Sequence, residues 1–148
     1  MRTLVTRRIW RQNGGMRDAI ITPQWQEFFN ATGIPAAVRV GETVRLTGHT
    51  GTRPDGSFSA DPAEQLRQTF ANVADTLAAA GGTWADVEEI TSFHVGLRAQ
   101  GDLVLEVAGE FLSQPFPAWS AVGVTELYEP EAMVELRVVA TIAATPLP

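Results

Sequence analysis

Hydrophobic residues alternate with polar ones along two short neighbouring runs, residues 38–40 and residues 44–47. An alternation with a period of two is typical of a β-strand that buries one face. A Gly-Glu pair separates the two runs, so the pattern predicts a β-hairpin. The polar side of this hairpin is expected to carry Arg39 and Arg45.

The pattern changes to a helical period over residues 61–80. Apolar residues recur there at spacings of four, three and four, which forms one stripe along a helix: Leu66, Phe70, Val73 and Leu77. Asp61 is placed to cap the first turn, and Pro62 suits the first helical position. Gly81 follows the last apolar residue and is predicted to end the helix.

The other elements follow from the same criteria: a short strand near residues 18–22, a helical turn over residues 24–29, strands over residues 87–97, 118–127 and 132–143, and a second helix that begins after a capping Asp102 and ends before Pro115. From residue 38 onward the order is β-β-α-β-α-β-β. This order predicts an α+β fold in which two helices pack on one face of a mixed β-sheet.

Side chains that alternate with the apolar positions of each strand share the second face of the sheet. We assign ten residues to that face, including both histidines of the chain: Arg45, Thr47, His49, Ser92, His94, Trp119, Ala121, Gly123, Glu135 and Arg137. The face toward the helices then takes the alternating apolar set, which includes Leu46, Phe93, Val122 and Leu136. A second face of this mixed composition is interpreted either as a solvated surface or as a subunit interface with pockets at its seams.

Composition excludes several kinds of chemistry. The 148 residues are enough for about one domain, and all 11 basic residues are Arg. Without Lys or Cys the chain has no Schiff-base lysine, thiolate nucleophile, disulfide or Cys-ligated metal. Two histidines are too few for a three-His zinc site. We therefore expect neither a metal ion nor a cofactor.

Charge is unevenly distributed along the chain. Residues 1–17 carry five Arg and no acidic residue, whereas the remaining residues carry six Arg and 17 acidic residues. An acidic body of this kind argues against a nucleic-acid partner. The basic head is interpreted as a solvated terminus, with phosphate or anionic-lipid binding as the alternative. The absence of a long apolar run predicts a cytoplasmic protein with no membrane partner.

Candidate catalytic residues lie within the proposed second face. Glu135 can act as a general acid or base if burial raises its pKa. His49, at the end of a strand beside Gly48, is a better site candidate than His94, which is more simply a structural histidine. An ion pair between Glu135 and Arg137, and a packing role for Trp119, are the simpler alternatives.

Several segments resemble the Rid family of reactive intermediate deaminases, also called YjgF and formerly endoribonuclease L-PSP. They are VRLTG at residues 44–48, the helix that opens at Asp61, FPAWSAV at residues 116–122 and VEL at residues 134–136. The resemblance covers about residues 38–143. It implies a Rid-like domain over residues 38–148, preceded by an N-terminal extension over residues 1–37.

The resemblance also implies a fold and an activity. The fold is a chorismate-mutase-like α+β fold that forms a homotrimer, with the sheets lining its interior and three ligand clefts between subunits. The best-known relatives hydrolyse enamines and imines, such as 2-aminoacrylate and 2-iminobutanoate, to keto acids and ammonia without a cofactor. Glu135 occupies the position of a water-orienting Glu, and Gly48 that of a glycine in the first cleft strand.

One position departs from the family pattern. Trp119 stands where the deaminases carry an Arg that binds the substrate carboxylate through two hydrogen bonds. An indole offers one N–H donor and no charge. We therefore expect an aromatic or uncharged ligand rather than efficient hydrolysis of 2-iminobutanoate or 2-aminoacrylate. The candidate site comprises Glu135 and His49 as catalytic residues and, as ligand-binding residues, Gly48, His94, Trp119, Ser120, Ala121, Arg45 and Arg137.

Three functions remain open at this point. The first is a Rid-type enzyme in which Glu135 orients water onto an imine or a related reactive metabolite. The second is a non-catalytic trimer that binds a metabolite or regulates another protein. The third is a ribonuclease or translation inhibitor that uses the two histidines, which the acidic body of the chain disfavours.

Overall fold

A computed structural model describes the backbone of residues 6–12 and 15–144 and the side chains of residues 17–144. The basic head predicted over residues 1–17 lies almost entirely outside the described side chains. Within the described residues, two long helices pack on one face of a mixed β-sheet. The predicted α+β fold is therefore confirmed.

The sheet contains seven strands in the described part of the chain: β1 (Thr6–Gln12), β2 (Gly15–Ile21), β3 (Ala37–Val40), β4 (Thr43–Leu46), β5 (Val87–His94), β6 (Ala118–Gly123) and β7 (Val134–Thr141). Their spatial order is β1-β2-β3-β4-β7-β5-β6. Strands β5 and β6 pair in parallel, and every other neighbouring pair is antiparallel. β2 confirms the strand predicted near residues 18–22, and it extends the sheet beyond the predicted hairpin.

The helices are α1 (Gln26–Thr32), α2 (Pro62–Ala79) and α3 (Leu97–Phe111). A 3-10 turn over Pro23–Trp25 leads into α1, which confirms the helical turn predicted there. The Asp61 carboxylate accepts hydrogen bonds from the backbone N–H groups of Ala63 and Glu64, so α2 begins as predicted. Gly81 follows α2 in the left-handed conformation that ends many helices.

The hydrophobic core lies between the sheet and helices α2 and α3. The apolar stripe predicted for α2 is fully buried, from Leu66 to Leu77. Across from it, Leu46 and Leu136 project from β4 and β7. Phe70 occupies the centre of the aromatic packing, with its ring centroid 5.3 Å from Trp84 and 5.4 Å from Phe111.

The predicted faces of β5 and β6 are wrong. Ile90, Ser92 and His94 are buried toward the helices, whereas Phe93 points to the other side and pairs with Glu135. Ser92 and His94 were placed on the second face because they alternate with the apolar Phe93, but both are buried on the helix side, where hydrogen bonds inside the protein satisfy their side chains. β6 pairs in register with β5, so one side of β6 also faces the helices. That side carries three residues that the sequence analysis assigned to the second face: Trp119, Ala121 and Gly123.

The second helix begins earlier than predicted. β5 ends at His94, and Gly96 adopts a left-handed φ of 86° that turns the chain directly into α3 at Leu97. Few residues other than glycine adopt this conformation without strain. Asp102 therefore lies inside α3 and does not cap it.

Arg39 is buried, contrary to the expectation that it lies on the polar side of the hairpin. Its guanidinium donates hydrogen bonds to the backbone carbonyls of Ile142, at 2.8 Å, and of Ala80 and Gly41. Ala80 caps the C-terminus of α2, where a positive charge is favourable. Arg39 thus ties the end of α2 to the sheet. Arg45, by contrast, is exposed as predicted.

Candidate functional site

A cavity of about 1080 Å³ lies beside the segment that follows β4. Its walls come from four parts of the chain: residues 22–34 around α1, residues 47–56, the C-terminal half of α2, and Tyr128, Glu129 and Glu135. The Asn72 side chain donates hydrogen bonds to the carbonyls of Thr50 and Thr52, at 2.9 and 2.8 Å, and so holds the loop against α2. Gln24 donates to Thr52 from the other wall.

Gly48 and Glu135 meet at one end of this cavity. A methyl group added at Gly48 would overlap the carboxyl group of Glu135. The absence of a side chain at position 48 therefore makes room for the Glu135 carboxyl. This close approach joins two residues that the sequence analysis selected separately.

The Glu135 carboxyl is half-buried and has no hydrogen-bond or ion-pair partner among residues 17–144. Burial removes water from the carboxylate and raises the pKa of Glu135 above its ordinary value. A carboxyl with a raised pKa and free oxygens at a cavity wall is suited to exchanging a proton with a bound molecule.

His49 lies in the same cavity wall with both of its ring nitrogens engaged. Nδ1 lies 2.6 Å from the carbonyl oxygen of Thr47 and must donate to it, while Nε2 accepts from the Thr76 hydroxyl at 2.7 Å. The Trp25 ring stacks on the imidazole at a centroid distance of 4.6 Å. Burial lowers the pKa of His49 to about 4, against the weaker opposing effect of the Thr47 carbonyl. The imidazole is therefore neutral at pH 7.

Acid is expected to destabilise the protein through His49. The unfolded chain binds a proton at His49 near pH 6.5, but the folded imidazole does so only near pH 4. Stability is therefore lost as the pH falls through this window, by about 2 kcal/mol between pH 7 and pH 5. Urea unfolding at both pH values checks this expectation.

The matched variant is His49→Asn, whose amide nitrogen takes the position of Nδ1 and can still donate to the Thr47 carbonyl. We expect it to lose clearly less stability than the wild type between pH 7 and pH 5. Burial also lowers the pKa of His94, which contributes equally in both proteins. An identical pH dependence in the variant and the wild type would contradict the assignment to His49.

Trp119 and His94 lie outside the cavity and belong to a separate hydrogen-bond chain. The Trp119 indole N–H donates to the Ser92 hydroxyl at 2.8 Å, and that hydroxyl donates to Nε2 of His94 at 2.6 Å. Nδ1 of His94 then donates to the Gln100 side chain at 3.0 Å. The indole packs beside Phe70, under the helices. Every side-chain donor in this hydrogen-bond chain already has a partner.

The remaining predicted site residues lie apart from the cavity walls. Arg45 and Arg137 are exposed on the sheet face turned away from the helices, and Ser120 is exposed on the edge strand β6. Ala121 is exposed on the same strand. The structure thus brings together Gly48, His49 and Glu135.

The sequence analysis missed several residues of the cavity wall. Trp25 precedes α1, and Asn72 and Thr76 sit one turn apart on α2, where they are buried despite their polarity. The available signal was the presence of polar residues next to the apolar stripe of the helix predicted over residues 61–80. Arg53 is the missed basic residue of the wall.

The described residues contain no group of three or more His, Cys, Asp or Glu side chains placed to hold a metal ion. The helices within the described range are also too short or too polar to cross a membrane.

Comparison with known proteins adds a family match. The family model described as endoribonuclease L-PSP matches residues 28–142. The chain is 42% identical over 93 residues to the RutC family protein YjgH of Escherichia coli strain K12, which covers 62% of this chain and 71% of that protein.

Two further matches extend the comparison. The chain is 34% identical over 110 residues to a 2-iminobutanoate/2-iminopropanoate deaminase of Dermatophagoides farinae, which covers 72% of this chain and 83% of that protein. A solved structure of protein YJGH superposes with a TM-score of 0.73 at 36% identity, over 79% of this chain and 89% of that one.

Proposed function

Because the chain belongs to the endoribonuclease L-PSP family, also known as YjgF or Rid, we propose that it is a cofactor-free hydrolase of imines or enamines. The reaction takes place in the cavity where Gly48 and Glu135 meet. The observation that carries this proposal is the half-buried, unpartnered carboxyl of Glu135, whose pKa is raised by burial.

Glu135 acts first as a base and then as an acid. It removes a proton from a water molecule as the water oxygen bonds to the imine carbon, and the carbon–nitrogen double bond becomes a single bond. Glu135 then returns the proton to the nitrogen of the resulting carbinolamine. The carbon–nitrogen bond breaks to release ammonia while the Glu135 carboxylate takes the hydroxyl proton and the carbonyl forms, and this proton passes to ammonia, which leaves as ammonium. For an iminium the balance is R₂C=NH₂⁺ + H₂O → R₂C=O + NH₄⁺, and Glu135 is regenerated.

His49 serves in this proposal as a positioning residue. Its two ring nitrogens already bind Thr47 and Thr76, and its low pKa leaves no proton to donate near pH 7. It fixes the backbone beside Gly48, and with it the space that the Glu135 carboxyl uses. The same engagement of both histidines argues against ribonuclease chemistry, which needs an available acid and base.

Hydrolysis of 2-imino acids is proposed to be inefficient. Trp119 replaces the expected carboxylate-binding Arg, and its only donor is committed to Ser92. Arg53 is the one basic residue among the described cavity walls, and it lies beside Glu64 at 4.0 Å. The Trp119 indole has no second donor and no charge, and the acidic groups Glu64 and Asp55 compete with a ligand carboxylate for the Arg53 guanidinium.

The sheet face turned away from the helices is proposed as the interface of a homotrimer. This open face comprises Val38, Val40, Arg45, Phe93, Val122, Glu135, Arg137 and Val139. Val40 on β3 is 50% exposed and Val122 on the edge strand β6 is 42% exposed, so this face presents apolar side chains that a second subunit can cover. Light scattering is expected to give three times the chain mass of 16.0 kDa, and a monomer would contradict the assignment.

The proposed activity is tested by ammonia release from a panel of imines generated in situ. We expect the wild-type protein to accelerate hydrolysis of at least one imine above the rate in buffer. Ligand binding without acceleration of any imine would overturn the proposal and favour a metabolite-binding or regulatory trimer.

Gly48→Ala is expected to lower kcat by about tenfold or more, because the new methyl group displaces the Glu135 carboxyl from its position. Steady-state kinetics on the best imine of the panel measures this loss. Gly101→Ala is the matched control, since a methyl group there meets no atom within 4 Å. Equal kcat values for the two variants would contradict a role for the space at Gly48.

A further inference from the structure

We infer that the cavity selects a small organic cation, namely the iminium form of an imine that carries no carboxylate group. This inference rests on the proposed function and names the substrate class of that site. Three observations support it: the charge of the cavity walls, the neutrality of His49, and the aromatic side chains along the entrance.

The described cavity walls carry far more negative than positive charge. Five carboxyl groups line them, against the single guanidinium of Arg53: Glu27, Asp55, Asp75, Glu129 and Glu135. Arg53 faces two acidic neighbours of its own, since it lies 4.0 Å from Glu64 and interacts electrostatically with Asp55. A concave wall of one charge sign attracts ligands of the opposite sign and repels those of the same sign. An anionic 2-imino acid is therefore disfavoured.

His49 leaves this negative potential intact. A protonated imidazole in the wall would offset one carboxylate, but burial holds the pKa of His49 near 4. Its Nδ1 proton points at the Thr47 carbonyl and away from a ligand. At neutral pH the ring acts as an uncharged aromatic surface against Trp25.

Aromatic rings suited to a cation line the same cavity. Trp25 and Phe28 contact each other edge to face, with centroids 5.3 Å apart, on the α1 side. Tyr128 lies in the wall together with Glu129 and is 90% exposed. The faces of such rings attract organic cations, and they also cover the apolar part of a ligand. Rings and carboxylates together fit an arylalkyl or alkyl iminium better than an anion.

A calorimetric titration tests the charge selectivity without requiring turnover. Three probes of one shape are compared: benzylammonium, benzyl alcohol and benzoate. We expect benzylammonium to bind at least about tenfold more tightly than benzoate, with benzyl alcohol in between, and the difference to shrink as salt is added. Equal affinities for the three probes, or tighter binding of benzoate, would overturn the inference.

A charge variant locates the selectivity in the cavity. Asp75→Asn combined with Glu129→Gln removes two carboxylates from the walls without touching Glu135. We expect this variant to bind benzylammonium about three- to tenfold more weakly and benzyl alcohol unchanged. Glu106→Gln, at an exposed position of α3, is the matched control and is expected to bind like the wild type. Unchanged benzylammonium binding in the double variant would contradict the inference.

A kinetic comparison separates this inference from the proposed function. Hydrolysis of a carboxylate-free iminium is expected to exceed that of its 2-carboxylate analogue by at least about tenfold in kcat/KM. If the carboxylate analogue is the better substrate, the hydrolase proposal survives and the cation selectivity fails. If no imine is hydrolysed but benzylammonium still binds selectively, the hydrolase proposal fails and the cavity remains a cation site.

Discussion

Glu135→Gln is expected to lower kcat/KM for imine hydrolysis by about 10²–10⁴-fold, the range typical of the loss of a general acid–base group. The amide cannot take a proton from water, although it has nearly the same shape as the carboxyl. The substrate should still bind, because the other cavity walls are unchanged. The loss should therefore appear mainly in kcat, measured as ammonia release at substrate saturation.

The same substitution is expected to stabilise the protein at neutral pH. Burial raises the pKa of Glu135 in the folded chain, so the charged form becomes progressively unfavourable as the pH rises through that value. Gln carries no charge, and the melting temperature at pH 7 is expected to rise by about 2 °C. At pH values below the ordinary pKa of glutamate the difference should disappear. A gain in stability together with a loss of activity is typical of a functional group held in an unfavourable environment.

Glu106→Gln is the matched control for this experiment, because Glu106 is exposed on α3, away from both the cavity and the proposed trimer interface. We expect it to keep the wild-type kcat and melting temperature. Full activity of Glu135→Gln on every imine that the wild type hydrolyses would contradict the proposed mechanism. A lower melting temperature of Glu135→Gln at pH 7 would contradict the pKa argument alone.

Arg39→Met is expected to lower the free energy of unfolding by about 2–4 kcal/mol. Met preserves most of the aliphatic packing but removes every hydrogen bond of the guanidinium. The carbonyls of Ala80 and Ile142 then remain buried without this donor, and the C-terminus of α2 loses a favourable positive charge. Urea unfolding of the wild type and the variant at one protein concentration measures the loss.

Arg98→Met provides the matched comparison, because it removes a guanidinium that lies outside the proposed trimer interface. Arg98 is exposed on α3 and makes no hydrogen bond or ion pair within residues 17–144, so its replacement is expected to change stability by less than about 0.5 kcal/mol. Equal losses for the two variants would contradict the assignment of a structural role to Arg39. The comparison also tests the structural role of the buried Arg39, which the alternation of residues along the hairpin did not predict.

The wrong faces predicted for β5 and β6 have one physical cause. Ser92 and His94 were assigned to the open face because they alternate with the apolar Phe93, yet they are buried and hydrogen-bonded to Trp119 and Gln100. A polar side chain is stable in a core when its hydrogen bonds are satisfied there. Its partners come from another strand and from α3, so no local pattern could reveal them.

Local signals were sufficient for the order of elements from residue 38 onward and for the limits of α2, but they did not predict β1. The apolar stripe of that helix, the Asp61 cap and Gly81 act within a few residues of one another. Strand alternation likewise placed Glu135 among the site candidates, whereas Gly48 was selected through the resemblance of its segment to the Rid family. Such features depend on side-chain periodicity and backbone preference, which neighbouring residues express directly.

The composition of the cavity depended instead on contacts between distant segments. Gly48 makes room for Glu135, and Trp25 stacks on His49, because strand pairing and helix packing bring these residues together. The same packing turned Trp119 toward Ser92 and away from the cavity. The burial of a titratable group is a property of everything that surrounds it. For that reason the neutral His49 and the raised pKa of Glu135 emerge only when the chain is folded.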